Sequence, residues 1–404
     1  MREESTMRLG RWKTIAYSLL PLLVLCALLE GLGRVVEWYR PPIPVDVSLS
    51  FSPESRLFVP GGGIPGWLET SPAKSIPHPP EPHLPLWVQR RKNAVPFRWQ
   101  TFLEKRPENV FRVFVVGESS VNYAQGNFQH ALESLEPLLG GRSMEVINAG
   151  GCAYGSQRLL LVVLEILNYQ PDAVLLYLGH NESEEGAERK ALGAVSVTVQ
   201  RVLWQSAALR VVRDVLATRE IERLYGERAE ARQDAQVKPR PLENRRLSRA
   251  EMGAQVDTFR RNVEAMIAAC KEKGVRVVLG TIPSNLWKPD LAAPEQERYM
   301  REVHALFDAG DYAAGEALAQ EILCWAPRHQ SSNLENAALR DMAAKWSVPL
   351  ADVEARVKAT EPHGIPGETL FTDHCHLNNR GSDLLAEAYA EALKPLLEAP
   401  APTP

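Results

Sequence analysis

The chain has 404 residues, 45% apolar and 24% charged, with a formal net charge of −4. These proportions suit a globular protein with a sizeable core, and the length admits either several domains or one α/β domain with insertions. With so small a charge and no basic stripe interleaved with aromatics, the electrostatic footprint of a nucleic-acid-binding protein is excluded.

Arg2, Arg8, Arg11 and Lys13 precede TIAYSLLPLLVLCALLEGLG, which is uncharged from Thr14 to Leu29. A bilayer-spanning helix needs about 20 mostly apolar residues. The run reaches that length with Glu30 at the far interface and Leu32, Val35 and Val36 contributing. The cationic flank predicts a cytoplasmic tail over 1–13, a transmembrane signal-anchor over 14–36 and a periplasmic or extracellular remainder. Arg34 and Arg40 on the far side weaken that asymmetry. The rival readings are a cleaved signal peptide and a lipoprotein. No small-x-small pair follows the run, and Leu25 precedes Cys26 where a lipoprotein signal has a small residue, so an uncleaved anchor is favoured.

Residues 37–108 are rich in proline (RPPIP, SIPHPPEPHLP) and carry GGG at 61–63. Proline fixes an extended backbone and cannot donate to a ladder, so a stalk or a segment draped over the domain is expected. From Phe111 the pattern changes. FRVFVVG, MEVINAG, DAVLLYLG, VRVVLGTIP and VPLADV have the length and β-branched character of buried strands. Helical stretches separate them, among them QRLLLVVLEILNY. In 256–270, Val256, Phe259, Val263, Met266, Ile267 and Cys270 make one apolar face. The alternation predicts a parallel sheet covered on both faces across a domain at 109–397.

Two insertions interrupt it. Residues 183–248 contain the amphipathic VLWQSAALRVVRDVL, read either as a lid or collar on the domain or as a surface excursion of no consequence. Residues 296–346 contain ALFDAGDYAAGEALAQEILCWAP, whose Gly310, Tyr312, Ala317 and Pro327 resemble one tetratricopeptide unit. A single unit cannot bury its own face, so a helical hairpin packed on the main domain is expected. A last helix over about 382–396 turns Leu385, Ala388, Ala392 and Leu396 inward, and 398–404 form a disordered tail.

Four blocks carry the chemistry: GESS at 117–120, NAGG at 148–151, GHNE at 179–182 and DHCH at 373–376. Each of the first three ends a predicted strand, at the rim where open α/β sheets bind ligands. Ser119 holds the third place of its block and is favoured over Ser120 as a nucleophile; a Ser-Ser pair is otherwise commonly a helix N-cap. The elbow G-x-S-x-G is not matched, since Val stands at 121. Among Asn148, Gly150 and Gly151, a glycine N–H can face a developing oxyanion, or the stretch is an ordinary turn. The Asn181 amide is a second donor or a turn residue. Asp373 and His376, three apart, allow the carboxylate to accept from Nδ1–H while Nε2 takes a serine proton. A metal bound by Asp373, His374 and His376 is the rival, unsupported by any HExxH or second cluster. Cys152 and Cys375 each adjoin a block. A bridge between them is conceivable, but small buried hydrophobes are the simpler reading of Cys152, Cys270, Cys324 and Cys375.

In order and position the four blocks resemble the SGNH/GDSL hydrolase superfamily over about 110–397, and GHNE with TIPSN at 281–285 is similar to its membrane-anchored bacterial members. The resemblance implies a three-layer α/β/α, flavodoxin-like fold. It further implies Ser119 as nucleophile, Gly150 and Asn181 as oxyanion donors beside the Ser119 N–H, and an Asp373–His376 pair. Glu118 departs from the family's Asp and is read as tuning the turn; His180 is a candidate substrate contact. The expected function is carboxylic-ester hydrolysis, with O-acetyl groups on envelope or exopolysaccharide glycans as substrates by analogy. A glycan O-acetyltransferase using the same residues and a non-catalytic glycan-binding or scaffold protein are the alternatives. No cofactor or metal is called for. The partners are a small-molecule or glycan ester and the membrane, with no protein partner assigned.

Overall fold

The computed structural model describes residues 11–39, 56–61, 63–71, 97–183, 185, 205–212, 215–216, 248–291, 293–326, 328–367 and 369–398. The expected tails therefore lie mainly outside the described residues, as does most of the 183–248 insertion.

Helix α1 (Arg11–Tyr39) outruns the expected 14–36 span at both ends. Its stretch Leu19–Tyr39 is long and apolar enough to cross a membrane, with mean hydropathy 2.0 and almost nothing covering it. The segment expected as a stalk or as a strap draped over the domain contains three short strands, β1 (Phe58–Pro60), β2 (Trp67–Thr70) and β3 (Thr101–Leu103), joined as an antiparallel sheet. They are part of the domain. Phe58 and Phe102 meet edge to face at 4.8 Å and both approach Phe114 and Tyr169. Glu165 accepts the Leu57 and Phe58 N–H groups, and the wholly buried Arg112 reaches Glu145 and the Leu103 and Tyr169 carbonyls.

The main sheet comprises β4 (Val110–Gly117), β5 (Ser143–Gly150), β6 (Ala173–Tyr177), β7 (Arg276–Gly280) and β8 (Leu350–Ala351). All pairings are parallel and the order is β5-β4-β6-β7-β8. That is the flavodoxin-like arrangement, whose switch point lies between β4 and β6. Strands buried on both faces explain the unbroken apolar runs. Edge strand β5 is not bare: Gln100 accepts the Asn148 N–H and donates to the Asn148 carbonyl, taking a neighbour's place.

Two short helices follow β4, α2 (Ser119–Tyr123) and α3 (Gln125–Glu133). Next come α4 (Ser156–Ile166) and α5 (Arg249–Glu272). Ser248 and Glu251 form a capping box that starts α5, and Phe259, Val263, Met266, Ile267 and Cys270 are its buried face. Helices α6 (Ala293–Asp308) and α7 (Tyr312–Trp325) make a hairpin with its own small core around Tyr299, Phe307 and Leu323. Gly315 lets the Phe307 ring close in, since a Cβ there would lie 2.5 Å from it. Helix α8 (Asn333–Trp346) falls within the expected 296–346 insertion yet belongs to the main domain. It packs on α5 and supplies the crossover between β7 and β8 that parallel strands require. Helices α9 (Val353–Thr360) and α10 (Asn379–Glu398) complete the chain. On one face α10 packs with α3 and α9; on the other α5 packs with α4 and α8, giving three layers.

If the 56–71 segment belongs to the domain, Phe58→Ala should cost about 3–5 kcal/mol in chemical denaturation, as for a buried aromatic. An unchanged midpoint would return that segment to a loosely draped strap.

Candidate active site

Parallel register sets the strand ends level: Gly117 faces Gly150 on β5 and Tyr177 on β6. The approach there is too close for a side chain. A Cβ on Gly117 would lie 2.3 Å from the Tyr177 carbonyl and 2.4 Å from Val121, and one on Gly150 would lie 2.5 Å from the Asn122 nitrogen. Helix α2 is thus seated directly on the sheet rim, and reciprocal bonds hold it there. The Asn122 amide donates to the Gly150 carbonyl at 2.9 Å, and the Asn148 amide donates to the Val121 carbonyl at 2.7 Å.

Glu118 does more than tune a turn. It is fully buried and accepts three successive N–H groups from the loop after β6: Gly179 at 2.8 Å, His180 at 2.9 Å and Asn181 at 3.2 Å. One carboxyl group therefore ties the residue before Ser119 to the loop carrying Asn181. Burial pushes its pKa up to about 8, although the three N–H donors pull the other way.

The structure brings Ser119, His376 and Asp373 together. Ser119 Oγ lies 2.6 Å from His376 Nε2, and His376 Nδ1 lies 2.6 Å from Asp373 Oδ2. Ser120 is buried, so the two serines are told apart by exposure as well as by contact. Asp373 Oδ1 accepts the backbone N–H groups of Cys375 and His376. Burial raises this carboxyl's pKa, but the His376 bond and those N–H groups outweigh it and hold Asp373 well below the usual carboxylate range. The loop is closed by a bridge between Phe371 and Leu377, and Asn285 of TIPSN clamps it by donating to the Asp373 and His374 carbonyls. Tyr123 stands beside the imidazole, its ring 5.1 Å from that of His376. Neither Asn285 nor Tyr123 carries a recognisable pattern in the sequence, beyond Asn285 closing the TIPSN stretch.

Two expectations need correction. The Gly150 N–H is already donated to Asn148 Oδ1 at 2.9 Å, and the Gly151 N–H to the Gly117 carbonyl, so Gly150 is spent as an oxyanion donor. Its lack of a side chain serves packing instead. Beyond it the chain turns at Ala153, a non-glycine held at φ 62°. The His180 ring is sealed inside the protein and does not present itself to a ligand. Its Nδ1 accepts the Ser331 N–H at 3.1 Å, so the proton sits on Nε2, and burial, with His376 and His374 nearby, keeps the ring neutral. It is a tie to the segment before α8. All five cysteines are free thiols, as the simpler reading had them: Cys152 Sγ lies 3.9 Å from the Tyr123 hydroxyl and Cys375 Sγ 3.7 Å from His376 Nδ1. Asn181 remains available, since its amide has two N–H groups and donates one to the Tyr154 carbonyl at 3.3 Å.

Asp373, His374 and Cys375 also bring their ligand atoms within 4.8 Å of one another. The Asp373 oxygens, however, already accept three N–H groups, which leaves a poor metal ligand.

No protein-family model and no curated protein matches the chain. Solved structures do. The chain is similar to an acetyl xylan esterase (16% identity, 70% of this chain and 99% of that one, TM-score 0.39). It is also similar to a lipase/acylhydrolase from Enterococcus faecalis (15%, 70% and 96%, TM-score 0.37). An acetylxylan esterase from Geobacillus stearothermophilus matches too (11%, 70% and 93%, TM-score 0.37).

Glu118→Gln should uncouple the two loops by placing an amide NH₂ against N–H donors, at a cost of about 1–3 kcal/mol. The pH dependence has a definite sign. A folded pKa near 8, above the ordinary 4.5, means the folded state holds a proton the unfolded state has lost between those values. Stability from this group therefore falls as pH rises through that window, and the Gln variant should flatten the slope. Identical stability-versus-pH curves for both proteins would contradict the assignment.

Proposed function

We propose that this chain is a serine ester hydrolase of SGNH/GDSL type. One observation carries the reading: a serine hydroxyl 2.6 Å from an imidazole nitrogen whose other nitrogen is 2.6 Å from an aspartate oxygen. The ionised Asp373 holds the His376 proton on Nδ1 and leaves the Nε2 lone pair facing Ser119. Ser119 Oγ attacks the ester carbonyl as its proton passes to Nε2. The tetrahedral oxyanion is met by the Ser119 N–H at the start of α2 and the Asn181 amide. The third donor is the turn at Cys152–Ala153, which follows the Gly150 and Gly151 N–H groups already spent within the protein. His376 then protonates the leaving alcohol, and the acyl-serine is released when water, deprotonated by His376, attacks it.

The substrate class we assign is an O-acetylated glycan of the cell envelope. It rests on α1 as a retained membrane anchor that places the catalytic domain outside the cytoplasm, and on the acetyl xylan esterases among the similar structures. No metal takes part.

Release of p-nitrophenol from its acetate ester should fall about 10⁴-fold or more in Ser119→Ala and His376→Ala. Equal rates in wild type and both variants would end the mechanism. Dialysis against EDTA should leave the wild-type rate unchanged; a loss restored by a divalent cation would reassign Asp373, His374 and Cys375 to a metal.

A further inference from the structure

Within the middle of the 183–248 insertion, residues 205–212 and 215–216 are described, and 207–212 and 215–216 are helical. The described middle stretch is bound to α1. Glu30 accepts from Ser206 Oγ at 2.8 Å and from the Ala207 and Ala208 N–H groups at 3.2 and 3.4 Å, capping the start of the second helix. Seven residues along the same face of α1, Glu37 receives both arms of the Arg210 guanidinium at 2.6 Å. Between the two carboxylates lies Gly33, where a Cβ would come within 2.5 Å of the Ala208 nitrogen. The two backbones touch as small-residue contacts between membrane helices do.

Depth follows from length. The uncharged run Thr14–Leu29 covers about 24 Å of helix at 1.5 Å per residue, less than the roughly 30 Å of a hydrocarbon core. Spanning that core draws Glu30 into the outer acyl region, where an unpaired carboxylate is costly. Its partners are Arg34 one turn further along α1, at 2.9 Å, and the hydroxyl and N–H groups of the second helix, which must therefore lie at the same depth. The face turned away from α1 suits that position. Leu209, Val212 and Leu216 recur at i, i+3 and i+7, and with Val215 they are 39–60% exposed. In water that stripe would be unfavourable; beside α1 it continues the exposed apolar surface of the anchor.

We infer that the helical residues 207–212 and 215–216 belong to a second membrane element, docked on the outer end of α1 with Leu209, Val212 and Leu216 in the outer leaflet. The inference rests on α1 being a retained anchor. It would give the catalytic domain two attachments and fix its orientation to the lipid surface, where a single helix would let it swivel.

The test uses the full chain reconstituted in phosphatidylethanolamine–phosphatidylglycerol vesicles, with an environment-sensitive fluorescent amino acid at one position at a time. Leu25 reports on the anchor, Val212 on the proposed element, and the exposed Asp341 on the aqueous surface. Doxyl-labelled lipid should quench Leu25 and Val212 and leave Asp341 bright. Val212 should respond more to a label near the headgroup than to one at the chain ends. Glu30→Gln with Glu37→Gln should weaken quenching at Val212 while leaving Leu25 quenched. Quenching at Leu25 alone would overturn the inference and leave the anchor standing. Quenching at neither would remove the anchor itself. Energy transfer between two labelled copies at Val212, without lipid quenching, would show that a second chain covers the stripe.

Discussion

The level ends of β4, β5 and β6 are the constraint on which the site depends. Gly117 and Gly150 sit where neighbouring backbones leave no room for a Cβ, so the sheet closes tightly at its rim and α2 is pressed onto it. A side chain at either position would push α2 away and carry Ser119 with it. Catalytic geometry here is a consequence of strand register, since one-residue slippage would send every inward residue to the opposite face.

From that rim the site is assembled by buried polar bonds between segments far apart in the chain. Glu118 joins the nucleophile to the loop after β6, Asn148 joins β5 to α2, and Asn285 holds the loop of Asp373 and His376. None of these side chains needs to touch a substrate. Each satisfies backbone groups that would otherwise be buried without partners, which makes the loops costly to move. Rigid placement of donors is what lets a hydrolytic site stabilise an oxyanion without reorganising.

Much of this was legible in the residues and some of it was not. Strands such as VFRVFVVG and AVLLY announce themselves because both sheet faces are buried, and α5 because Phe259, Val263 and Cys270 keep one face. Strands β1 to β3 are three or four residues long and lie among prolines, so their pairing depends on Phe58 and Phe102 finding Phe114, a contact no local pattern states. Asp373 and His376 could be paired from their spacing, and their meeting with Ser119 followed from strand ends converging. Gly150 misled for a physical reason: a missing side chain looks the same whether it frees an N–H for a ligand or admits a neighbouring helix. His180 misled likewise, because an imidazole inside a motif block can tie loops together as readily as it can face a substrate. Helix α8 lies inside the span expected as an insertion, and the crossover it makes to β8 is what places it in the main domain.

The central claim is that the hydroxyl of Ser119, activated by His376, is the group that attacks. Reaction of the intact protein with a fluorophosphonate, followed by peptide mapping, tests it most directly. The account predicts one covalent adduct, on Ser119, lost when His376 is replaced by Ala. An adduct on Ser120, or none with the fold intact, would contradict it.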